Sequence, residues 1–136
     1  MSWAELRNDV VILACAISAG IHGALAPGHF DEAVGAGLGF VAATVLLAAL
    51  AVLLTLQPAS ASVRASAAVV LAGSLVSYAL ATTTGMPVLH PEPEPVEGLA
   101  LATKAIEAFG LAAASTLLKG TRTWTRHASN APFPSH

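Results

Sequence analysis

The chain has 136 residues, 55% of them hydrophobic and only 10% charged, with a mean hydropathy of +0.71 and a formal charge of −2. A soluble domain carries about 25% charged residues, so this chain has too little polar surface to coat a water-facing globule. The slight negative charge and the lack of a basic patch exclude nucleic acid as a partner. The lone Cys15 excludes an intrachain disulfide and any Cys-based zinc site, and its place among apolar residues makes it a small buried side chain.

In chain order, residues 1–8 form a lead-in, with Ser2 and Glu5 spaced as a capping box and Trp3 suited to the headgroup level. A four-helix transmembrane domain follows over residues 9–119, and residues 120–136 form a flexible tail. The first span covers about 9–26 and is expected to end at Pro27 and Gly28. Ala24-Leu25-Ala26 resembles a peptidase site, but a following Pro27 disfavours cleavage. Ile12-Leu13-Ala14-Cys15 resembles a lipobox but has almost no hydrophobic segment before it, so the first helix is read as retained.

The second span, about 33–57, has Asp31 and Glu32 at its expected N-terminal end, where the helix dipole favours acids, and Pro58 stops it. Gly35 and Gly39 near its start have the small-residue spacing that permits close helix contact. The third span runs over about 63–84, closed by Gly85 and Pro87. Pro87, Pro91, Pro93 and Pro95 then alternate with acidic residues in an expected extended polyproline segment. The fourth span covers about 97–118, before Gly120. Each span has about the 20 residues needed to cross a bilayer core, and the connections are short. The fold class that follows is all-α, an integral membrane four-helix up-down bundle.

The connections alternate in charge. The first carries His29, Asp31 and Glu32; the second carries Arg64; the third carries His90, Glu92, Glu94 and Glu97; the tail carries Lys119, Arg122 and Arg126. Lys and Arg collect on the cytoplasmic side, so the acidic connections should face outward and both termini inward, in a bacterial inner membrane.

Two constellations bear chemistry. His22, about one turn inside the first span, converges with His29, Glu32 and His90 at one end of an antiparallel bundle. Imidazole and carboxylate suit a transition metal, with copper or zinc the expected ion. The competing reading makes His29 and His90 solvated loop residues, Glu92 and Glu94 a solvated acidic rim, and His22 a partner in a structural hydrogen bond to a neighbouring helix. In the fourth span, Glu97, Lys104 and Glu107 lie on one narrow helical stripe, and Lys104 and Glu107 are expected to form an intramembrane ion pair. Ser74 and Tyr78 of the third span fall at the depth of that pair and extend a polar seam, which either fixes helix register or carries a proton or ion. No nucleotide loop, nucleophile elbow or activated serine is present, so no catalytic residue is assigned.

The stretches from His22 to Glu32 and from Thr84 to Gly98 resemble a group of small multi-helix membrane proteins of actinobacteria. Those proteins pair a first-helix His and a Pro-x-His-x-x-Glu turn with a Gly-x-Pro followed by His and acidic residues. The resemblance covers about residues 18–115 and carries no established activity; it implies the topology and singles out His22, His29, Glu32 and His90. The expected function is a small membrane protein with an outer-face His/Glu site that handles or senses a transition metal. The alternative is a non-catalytic accessory subunit that packs against a larger membrane complex, or against further copies of itself, in the lipid bilayer.

Overall fold

The computed structural model describes residues 1–86 and 93–129, with the side chains of 120–129 left aside. These residues form four helices and no β-strand: α1 Trp3–Glu32, α2 Val34–Leu56, α3 Ala61–Thr83 and α4 Gly98–Ser129. All four contain a stretch long and apolar enough to span a membrane, the one in α4 being Gly98–Lys119. Large apolar side chains such as Leu13, Val45, Val52, Val69 and Phe109 point outward on all four helices. Such a coat has no place in water and suits lipid. The chain is a multi-pass membrane protein.

The helices run up and down in sequence order. α1 packs most extensively on α2 and then on α4; α3 packs on α4 and less on α2, while α1 and α3 barely meet. The acidic connections therefore lie at one end, here called the acid end, and Arg64 with the second connection lies at the other, the basic end. Short side chains let the helices approach closely. At Gly110 of α4, an added Cβ would come within 2.5 Å of the Ala14 Cβ on α1 and 3.2 Å of Leu71 on α3. Gly39 faces open space, while close approaches occur at Gly110 and at Gly23 against Thr44.

Helix ends follow local chemistry. Ser2 and Glu5 form the reciprocal capping box that starts α1. Ser60 caps α3 through the Val63 amide. Gly85, at φ 70°, adopts the left-handed turn after α3 that other residues avoid. The lead-in and the first span are one continuous helix of 30 residues, and Pro27 lies inside it. A proline inside a helix removes one hydrogen bond and crowds the carbonyl four residues back, here that of Gly23, yet the outward-facing Pro27 is accommodated and the helix carries on to Glu32. Ala33, extended at φ −157°, is the whole connection to α2. Asp31 and Glu32 thus end α1 rather than open α2. Phe30 lies over the buried Gly37, where any side chain would collide with its ring, and this braces the tight turn.

In the third connection, the Glu94 amide donates to the Ala81 carbonyl at 3.0 Å, tying the approach to α4 onto the end of α3. Pro93 and Pro95 sit in this irregular segment; Pro87, His90, Pro91 and Glu92 lie outside the described residues. Gly120 does not end α4, whose backbone stays helical to Ser129. One glycine costs only about 1 kcal/mol in a helix.

Candidate functional site

The buried residues divide the bundle into two halves. Toward the basic end the core is apolar: Val11 and Cys15 of α1, Leu47 and Leu54 of α2, Leu71 of α3 and Leu117 of α4 all pack in one cluster. Among the described residues the only buried polar residue in that half is Asn8, near the basic end. Toward the acid end the centre is polar, and Glu107 is its floor.

Glu107 is fully buried. It lies nine residues into α4, about 14 Å along the axis and so near the middle of the span. An isolated carboxylate there is prohibitive, so the fold surrounds it with donors from three helices. Oε1 accepts from the hydroxyls of Ser18 on α1 and of Ser74 on α3, the latter at 3.1 Å. Oε2 accepts from the Lys104 ammonium at 2.8 Å, and the same ammonium donates to Ser74 Oγ at 2.7 Å. Lys104 also lies over the Tyr78 ring, 5.7 Å from its centroid. The proton count closes: each serine gives its one proton to Glu107, and Ser74 has a lone pair left for Lys104.

Ser18 leads on to His22, one turn nearer the acid end. His22 Nδ1 is 2.8 Å from the Ser18 carbonyl and 3.2 Å from its hydroxyl oxygen. A carbonyl can only accept, so Nδ1 carries the proton. His22, Ser18, Glu107, Ser74 and Lys104 therefore form one continuous network across α1, α3 and α4. Tyr78 borders it, and its buried hydroxyl has no partner among the described residues.

His29 belongs to a separate rim. Its Nδ1 is 3.1 Å from Glu32 Oε2 on the last turn of α1, and its ring stacks on Phe40 of α2 at 3.8 Å between centroids. The same Phe40 ring is tilted against His22 at 5.2 Å. His22 and His29 are seven residues apart, about 10 Å along one helix, and the Phe40 ring lies against both. Among the described residues no three His, Cys, Asp or Glu side chains gather around one ion position. Of the four expected ligands, His29 and Glu32 meet, His22 turns into the seam, and His90 lies outside the described residues.

Lys104, Glu107, Ser74 and Tyr78 come together, while Glu97 is exposed at the start of α4 and takes no part. Sequence reasoning missed Ser18 and Phe40. A serine in an Ala-rich helix carries no signal of the depth at which a partner waits. Its spacing of four from His22 was the available clue. Comparison with protein families, curated proteins and solved structures found no match to this chain.

Proposed function

We propose that this is a non-enzymatic membrane protein that binds a cation entering from the acid end, in order to sense or handle it rather than carry it across. The observation behind this reading is the position of Glu107. Its polar partners lie at its own depth or nearer the acid end, and beyond it toward the basic end the core is apolar. A carboxylate at the bottom of such a seam attracts positive charge, and the core beyond it holds, among the described residues, Asn8 as its only buried polar residue. The acidic residues Glu32, Glu94 and Glu97 surround the approach and raise the local cation concentration.

The test combines flux with binding. Liposomes containing the protein should leak sodium, potassium, ammonium or zinc no faster than empty ones under an imposed potential. Purified protein should gain thermal stability with at least one of these ions, and Glu107→Gln should diminish that gain. A protein-dependent leak, or indifference to all four, would overturn the reading.

A second reading, a transition-metal site at the rim, is favoured by the His29–Glu32 contact. A carboxylate on Nδ1 holds the proton there and leaves Nε2 with the lone pair of a ligand. Zinc or copper binding should then fall at least tenfold in His29→Ala. Equal binding by the variant would remove this reading and leave the seam untouched.

A further inference from the structure

Resting on the cation-binding reading, we propose that Glu107, Ser74 and Tyr78 form a site for a primary ammonium group. Its occupant here is the chain's own Lys104, and an external primary amine enters by taking Lys104's place. The geometry names the ligand class. An ammonium offers three N–H donors, and the site gives two of them directional acceptors, Glu107 Oε2 at 2.8 Å and Ser74 Oγ at 2.7 Å. The Tyr78 ring supplies an aromatic face for the positive charge. The Tyr78 hydroxyl, buried and unpartnered among the described residues, adds a polar group that Lys104 does not use. Calcium or magnesium would need six or more oxygen ligands here, and magnesium gives up its water reluctantly.

Lys104 is built to leave. Helical side chains lean toward the helix N-terminus, which for α4 is the acid end, so the Lys104 stem points toward that end and the Glu107 carboxylate reaches up to its ammonium from one turn deeper. A Lys three residues before a Glu is also the weaker order of the two on a helix. Lys104 lies six residues into α4, about 9 Å from its start, so its long stem can carry the charge to the headgroup level. Glu97 and Glu94 are available there. An incoming ammonium neutralises Glu107 as Lys104 departs, so the exchange leaves no unpaired charge in the hydrocarbon. The swap moves one positive charge toward the acid end, a change that a partner or sensor domain can read.

The test is rescue of Lys104→Ala, purified in detergent, by small cations at equal ionic strength. Methylammonium should raise its unfolding midpoint saturably at millimolar concentration. Sodium and tetramethylammonium, which has no N–H, should not. The response should vanish in Lys104→Ala with Glu107→Gln. If Lys104→Ala does not fold, Lys104→Met keeps the stem, and ammonium chloride replaces methylammonium. In wild-type protein the Lys104 Nζ resonance should shift and exchange faster as methylammonium is added. Stabilisation that ignores N–H content, that survives in the double variant, or that leaves the wild-type Lys104 signal unmoved would overturn the proposal. A wild-type response to sodium or zinc would still stand for the cation reading.

Discussion

Lys104 and Glu107 show how a single pair can decide the stability of a membrane bundle. Lipid is as apolar as leucine, so burial of apolar surface contributes little to helix association, and interhelical polar contacts matter more. Lys104→Ala leaves a buried carboxylate without its counter-charge and should cost about 3 kcal/mol, while Lys104→Ala combined with Glu107→Leu should cost less than that single change. Reversible unfolding in mixed micelles measures this, and strictly additive losses would show the two residues to be uncoupled. Ser18→Ala removes one donor to the same carboxylate and should cost about 1–2 kcal/mol. The pair was legible from spacing, because residues three apart on a helix meet and unpaired charge in lipid is expensive. Ser18 was not legible, because which serine reaches Glu107 depends on how deeply α1 sits against α4.

Gly110 makes the corresponding point for elements. α4 lies against both α1 and α3 at this glycine, and an added methyl would meet the Ala14 Cβ, which has no flexible end to move. Gly110→Ala should therefore destabilise by about 1–3 kcal/mol despite its better helix propensity. Gly73→Ala, which meets open space, should be neutral or mildly stabilising. The same melting series checks both, and equal behaviour would mean that α1 and α4 are not in close contact at Gly110. The existence and direction of the four helices were plain from apolar runs of spanning length. Their ends were not. Pro27 reads as a stop, yet α1 runs through it to Glu32, and the turn is the extended Ala33, braced by the Phe30–Gly37 contact. Likewise Asp31 and Glu32 were expected to open the second helix and lie at the end of the first.

For the whole molecule, the dry half and the polar half define a direction, and charge on the connections predicts its sense in the membrane. A cytoplasm-dependent reporter fused after Gln57 should be active, and one inserted at Glu94 inactive; activity at Glu94 would reverse the assignment. The asymmetry itself could not be read from the sequence, since the few polar residues of the spans carry no sign of which face the interior, and only packing shows that. It is most directly tested by thiol accessibility in intact cells and in inverted vesicles, with Glu97→Cys reporting the side of the acid end. On a Cys15→Ala background, His22→Cys and Tyr78→Cys should react with a cationic, membrane-impermeant thiol reagent only from the side that labels Glu97→Cys. They should react faster with it than with an anionic analogue, and native Cys15 should stay unreactive from both sides. Reaction of the seam positions from the opposite side, or ready labelling of Cys15, would contradict a polar seam that is reached from the acid end and stops at Glu107.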